Sequence, residues 1–120
     1  MIETQIYSAL CADTTVAAVV GSRIYPLVMP QVPTLPAITY HRVSSSPVNT
    51  LSGRSNLTDV HVAVNCWGTA YDTVKELAED VADGMNTATA FHALLLTEFD
   101  GYDPETGLFV ASQDYSCWEK

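Results

Sequence analysis

Apolar and polar positions alternate most regularly between Leu57 and Trp67, where Val60, Val62, Val64 and Cys66 fall on one side of an extended chain. A period of two predicts a strand with one buried face. After Gly68-Thr69 the period changes. Val74, Leu77, Ala78, Val81, Ala82 and Met85 recur on one stripe, with Asp72, Lys75, Glu76, Glu79, Asp80 and Asp83 turned mostly outward. This 3.6-residue period predicts one long amphipathic helix ending near Met85.

The flanks carry weaker versions of the same signals. Ile2, Ile6 and Leu10 predict a first helix over about Ile2 to Ala12. Asp13 or Thr14 can cap a short second helix in which Val16, Ala17 and Val20 pack, and Gly21 suits its C-terminus. Ala37 to Ser44 predicts a strand with Ile38, Tyr40 and Arg42 on one face and Ala37, Thr39, His41 and Val43 on the other. Phe91 to Phe99 predicts a third strand with Leu94, Leu96 and His92 on one face, and Leu108 to Trp118 a fourth. The Gly-, Pro- and Asp-rich turn between them runs from Asp100 to Gly107. The fold expected is a single α+β domain over residues 1–120, a mostly antiparallel sheet of about four strands with helices on one face.

Two stretches fit neither period. Gly21 to Pro36 holds Pro26, Pro30, Pro33 and Pro36 among Ile24, Tyr25, Leu27, Val28, Met29, Val32 and Leu35. Its prolines resist helix and central strand, and its apolar content requires that it lie on something, either the domain's own sheet edge or a neighbouring subunit. Ser45 to Ser55 is polar between two strong strands and predicts a long hairpin arm, longer than the usual ~2–5-residue connection and therefore a candidate contact element.

Charge sharpens this picture. No Asp or Glu occurs between Thr14 and Thr58, a span that holds Arg23, Arg42 and Arg54 and carries +3; the remainder sets all 14 acids against Lys75 and Lys120 and carries −12. Such a chain lacks the clustered cations that sequence-nonspecific phosphate binding requires, and nothing in it predicts sequence-specific nucleic-acid binding. Two unlike regions in one chain could meet head to tail between copies. Cys11, Cys66 and Cys117 are odd in number and far apart, which predicts reduced thiols rather than a disulfide or metal framework. No signal peptide or membrane-length apolar run is present.

Catalytic chemistry finds little support. His41, His61 and His92 are the only general bases suited to neutral pH, and His41 and His61 lie on strands expected to pair, but no nucleophile elbow or HExxH accompanies them. Glu98, Asp100, Asp103 and Glu105 crowd one turn without the spacing of a calcium loop. The glycines are scattered, with no phosphate-cradling run. The chain is expected to be a non-enzyme without cofactors.

Three segments carry a family resemblance: Gly21 to Pro26 (GSRIYP), Pro36 to Asn49 (PAITYHRVSSSPVN), and Leu57 to Trp67 with the helix that follows. In that order, after N-terminal helices, the sequence resembles the tail-completion, or tail-terminator-like, proteins of long-tailed bacteriophages and prophages. The resemblance implies a structural virion protein of the tail and neck, assembled in the bacterial host cytoplasm. It implies a ring of identical subunits, a hexamer, that caps the head-proximal end of the tail tube, ends tube polymerisation and enables head–tail joining. Its partners would be its own copies, the tail tube protein and a head-closure or connector protein, with DNA passing through the ring lumen and no membrane involved. The contact residues expected are Arg42 and the arm residues Ser44, Ser45, Ser46, Pro47, Val48, Asn49, Thr50, Leu51, Gly53 and Arg54. The alternatives are another neck protein, of the head-closure or connector type, and a small cytosolic regulatory binding module.

Overall fold

In the computed structural model the backbone is described for residues 2–21, 23–27, 35–50, 53–88 and 91–119, and side chains for 3–21, 23–27, 35–44, 60–88 and 91–118. The N-terminal stripe forms helix α1 (Ile2–Ala12), with Ile6 and Leu10 fully buried. Asp13 caps α2 (Thr14–Val20): its Oδ1 accepts the Thr15 and Val16 amides at 2.9 and 3.2 Å, satisfying donors that a helix start leaves open. Gly21 ends α2 with φ 59° and donates its N–H to the Ala17 carbonyl at 2.8 Å. A left-handed backbone there suits glycine.

Five strands follow around one further helix: β1 (Ile24–Pro26), β2 (Ala37–Thr50), β3 (Gly53–Gly68), α3 (Tyr71–Thr87), β4 (Phe91–Asp103) and β5 (Leu108–Glu119). They form one sheet in the order β1-β2-β3-β5-β4, antiparallel throughout except for β1, which runs parallel to β2. The sheet therefore has a strand more than the alternation predicted. β1 lies inside the proline-rich connector, where three residues are too few to show a period. Pro26 is tolerated because β1 is an edge strand. Most of the rest of that connector, Val28 to Thr34, lies outside the described residues.

One face of the sheet carries the core. Val60, Val62, Val64 and Cys66 of β3 and Ile38 and Tyr40 of β2 are buried there, as the alternation predicted, against Val74, Leu77, Ala78, Val81 and Met85 of α3. Ala82, placed on the buried stripe from sequence, is half-buried at its edge. α3 lies across β3, β5 and β4 and is flanked by α1 and α2. Burial pushes the Cys66 thiol up to about 12, so it packs as a small apolar group rather than a nucleophile. Two polar side chains enter this core together. Gln113 Nε2 donates to the Ala78 carbonyl of α3 at 2.9 Å, and its Oε1 accepts the Tyr115 hydroxyl at 2.6 Å.

The opposite face is lined by small polar groups in a hydrogen-bonded row: Trp67 Nε1 and Asn65 Nδ2 donate to Thr39 Oγ1 at 3.0 and 3.4 Å, and Ser112 Oγ donates to Asn65 Oδ1 at 2.6 Å. Arg23 joins the helices to the sheet, donating from Nε to the Pro36 carbonyl and from Nη2 to the Val19 carbonyl at the end of α2.

One close approach fixes how α2 meets α3. A Cβ on Gly84 would stand 2.6 Å from Asp13 Oδ2, the other oxygen of the α2 cap. Gly84→Ala is therefore expected to push the cap away and to cost about 1–2 kcal/mol, the usual worth of such a cap. Asp13→Ala should cost about the same, and the double variant no more than either, by thermal or urea denaturation. Additive losses would show that the two residues are not coupled.

Candidate functional site

β2 and β3 run in register far beyond the sheet. Ser44 lies opposite His61, Ser45 opposite Val60, Ser46 opposite Asp59, Pro47 opposite Thr58, Asn49 opposite Arg54 and Thr50 opposite Gly53, with shifts at Val43 and Val48. The segment expected as a long hairpin arm is thus a continuation of the two strands, with only Leu51 and Ser52 at its tip outside the described backbone. β5 joins β3 only from Val60 onward, where Val60 faces Cys117. Below that point each strand of the ribbon has only the other as partner among the described residues. A strand of 16 residues at ~3.3 Å per residue reaches ~50 Å, which accounts for a molecule measuring 52 × 29 × 22 Å. An isolated two-stranded ribbon is marginally stable in water.

At the root of the ribbon Arg42 Nε donates to Glu3 Oε1 of α1, with 41% of the Arg42 side chain exposed. Burial raises the Glu3 carboxyl pKa, but the Arg42 hydrogen bond and charge outweigh it and hold the group below its usual value. Arg42 is therefore tied to its own domain, and such a half-exposed pair contributes at most about 1 kcal/mol. Ser44 is exposed. The side chains of Ser45, Ser46, Pro47, Val48, Asn49, Thr50, Gly53 and Arg54 lie outside the described residues, as does Leu51 altogether.

Two further surfaces lie at opposite edges of the sheet, and neither was expected from the sequence. At the β1 edge, α1 and the β1–β2 pair enclose a cleft of ≈ 510 Å³ walled by Glu3, Tyr7, Ile24, Leu27, Tyr40 and His41 among others. Two buried polar atoms in its walls, Glu3 Oε2 and His41 Nδ1, have no hydrogen-bond partner. Leu27, at the end of β1, is 65% exposed and has φ 70°, a backbone that a branched side chain adopts only at a cost.

At the other edge, β4 exposes Leu94, Leu95, Leu96, Phe99 and Tyr102, each by 40% or more. Leu94 pairs with Ser116 and Leu95 with Tyr115, so these two point to opposite faces, and a register shift at Leu96 turns the third out of alternation. The apolar surface wraps the strand rather than lining one side, unlike the single face expected for His92, Leu94 and Leu96. Three consecutive leucines were the available signal, since no one-sided strand needs them.

The acidic turn is engaged internally. Lys75 of α3 pairs with Asp100 at 3.1 Å and Glu98 at 3.5 Å, and the Tyr71 hydroxyl donates to Asp100 at 2.8 Å. The Tyr71 and Lys75 bonds hold the Asp100 carboxyl below its usual value. Asp103 Oδ1 accepts the Glu105 amide. β4 continues through residues read as a turn, to Asp103, because Tyr102 packs on Phe109 with ring centroids 4.8 Å apart. Among the described residues no His, Cys, Asp or Glu cluster could hold a metal. His41 faces Ala63 and His61 faces Ser44 across the β2–β3 ladder, and His92 stacks on Trp118 at 5.4 Å.

The outer face of α3 concentrates acid: Asp72, Glu76, Glu79 and Asp83 are exposed. Burial, followed by the charges of Asp13, Asp83, Glu76 and Glu79, raises the Asp80 carboxyl pKa.

Comparison with known proteins agrees with this architecture. A solved structure titled "Virion of native gene transfer agent (GTA) particle" contains a chain of the same fold, with a TM-score of 0.74, 16% identity, and coverage of 99% of this chain and 95% of that one. No curated protein matches in sequence. The sequence matches the family described as "Tail completion protein gp17" over residues 4–120. With that match spanning nearly its whole length, the chain belongs to the tail completion protein family, a family of phage tail structural proteins.

Proposed function

We propose that this protein caps the head-proximal end of a phage tail tube as a ring of identical subunits, ending tube polymerisation and preparing the tail for the head. The observation that carries this reading is the family match over residues 4–120. The fold supports it in two ways. Among the described residues the β2–β3 ribbon leaves the sheet with no third strand to hold it, so a neighbouring copy or the tail tube protein is the natural source of a further contact. A ring also needs two different complementary surfaces per subunit, and the two edges of this sheet differ. The acidic outer face of α3 suits a lumen through which DNA slides, since like charge repels phosphate. A hexamer, with a head-closure or connector protein above it, follows from the family resemblance. No step of this role requires catalysis or a cofactor.

Electron microscopy of a lysate in which this reading frame is disrupted, in a phage or induced prophage that encodes it, tests the proposal. Filled heads beside unattached tails are expected, with tails of uncontrolled length pointing to the terminating role. Normal, joined and infectious particles would overturn it.

A further inference from the structure

We infer that the far half of β4, Thr97 to Asp103, is a strap that opens from the sheet as a unit, hinged at Leu96 and clasped to α3 by Lys75. The device belongs to the isolated subunit and needs neither ring nor tail.

The strap is attached by little. Among the described residues β5 is its only neighbour in the sheet. None of its residues is buried, and Phe99 and Tyr102 are each 55% exposed. The near half of β4 differs: Phe91 sits in the core and Ala93 packs against it. Between the two halves the β4–β5 register shifts at Leu96. An extra residue at such a point interrupts the ladder and lets the strand bend. Segments with few buried contacts open at less cost than the whole domain unfolds.

Opening leaves the core in place. β5 keeps its pairing to β3 from Phe109 to Cys117. Gln113, opposite Glu98, keeps its bonds to Ala78 and Tyr115. Tyr115 itself lies opposite Leu95, on the near side of the hinge. The aromatic contact given up is that of Tyr102 on Phe109. The outer edge of the sheet then passes from β4 to β5, which gives the subunit a second shape around the same core.

The clasp is electrostatic. Glu98 and Asp100 stand opposite Gln113 and Ala111, so both carboxylates lie on the helix side of the sheet. Lys75 Nζ lies 3.1 Å from Asp100 and 3.5 Å from Glu98, and the Tyr71 hydroxyl donates to Asp100 at 2.8 Å. α3 is itself fixed by Val74, Leu77, Ala78, Val81 and Met85, so it does not follow the strap. Lys75 is the sole cation of α3, among Asp72, Glu76, Glu79, Asp80 and Asp83. Without its charge the two carboxylates would face a wholly acidic helix. One side chain thus decides whether α3 holds the strap or repels it.

Amide hydrogen exchange of the purified protein, followed by NMR over a series of low urea concentrations, tests this. The strap amides bonded to β5 should exchange together, through an opening at least about a hundredfold more frequent than that of Val62 to Cys66 in β3. Their opening should depend weakly on urea, because little surface is exposed. Lys75→Met should make strap opening about tenfold more frequent and Tyr71→Phe about threefold, while Lys75→Arg keeps the wild-type value. Molar salt should erase most of the difference between wild type and Lys75→Met. Val16→Ala, at a fully buried site in α2, should speed exchange in β3 and leave strap opening unchanged, because the open form retains that part of the core. Strap amides that exchange only with β3, that speed up with Val16→Ala, or that ignore Lys75→Met would overturn the strap. The first of these is read on the wild type alone, so it stands even where a variant fails to fold.

Discussion

Removing Val48 to Gly53 is expected to leave a folded subunit that no longer completes tails. The fold should survive because of where the ribbon is anchored. β5 begins to pair with β3 at Val60, and the core residues Val60, Val62, Val64 and Cys66 all lie beyond the deletion. With the deletion, Pro47 and Thr58 remain opposite each other, and Arg54 to Leu57 become a loop of ordinary hairpin length. The change in unfolding free energy should stay below about 1 kcal/mol, as for alterations away from a core. Assembly should fail because the deleted ladder lies where, among the described residues, no third strand supports it. Each contact that loses about 1.4 kcal/mol falls tenfold in occupancy, and a ring repeats that loss around its circumference. Circular dichroism with electron microscopy of complemented lysates checks both halves. A deletion that still yields joined particles would remove the ribbon from the mechanism.

The largest loss of stability is expected at Gln113. Gln113→Ala should cost about 3 kcal/mol in urea denaturation, part from the space it vacates and part from the Tyr115 hydroxyl, left buried without an acceptor. Burial already raises the Tyr115 phenol well above its ordinary value, so the hydroxyl cannot escape the cost by ionising. The Ala78 carbonyl keeps its place in α3 and adds little. Tyr115→Phe alone should cost about 1 kcal/mol, by stranding Gln113 Oε1 instead. Combining Gln113→Leu with Tyr115→Phe should cost less than the sum, with a coupling of at least about 1 kcal/mol. Simple additivity would mean that the pair does not act as one unit.

What the sequence revealed followed what the fold buries. α1, α2, α3 and the Val60–Cys66 strand were legible because each turns one stripe into the core, and periodicity reports burial. The ribbon was not recognised as strand because its run of serines, asparagines and threonines leaves no alternation of apolar and polar positions. β1 is too short for any period, and β4 runs on past Phe99 through contacts made by Tyr102 and Asp100 with distant residues. The residues favoured for contact, Arg42 and the arm, came from the family pattern and from the polarity of the segment. The cleft could not have come from either, since its walls join Glu3 and Tyr7 with Leu27 and His41, which approach only when α1 lies beside β1. Arg23 shows the same limit: it counted as part of a basic region, yet it serves two backbone carbonyls of its own domain.

The ribbon has a consequence for timing. Beyond the sheet neither of its long edges has a strand partner among the described residues, and open strand edges are templates on which copies can pair prematurely. Its sequence answers that risk: Ser44, Ser45, Ser46, Asn49, Thr50, Ser55 and Asn56 are small and polar, and Pro47 removes one donor from β2. A subunit of this kind can wait. It gains little by meeting another stray subunit through this element, so its supply is not drained into dead-end aggregates while tubes are still growing. In the proposed capping role, the same ribbon becomes useful only where many weak contacts are offered together, at the finished end of a tail.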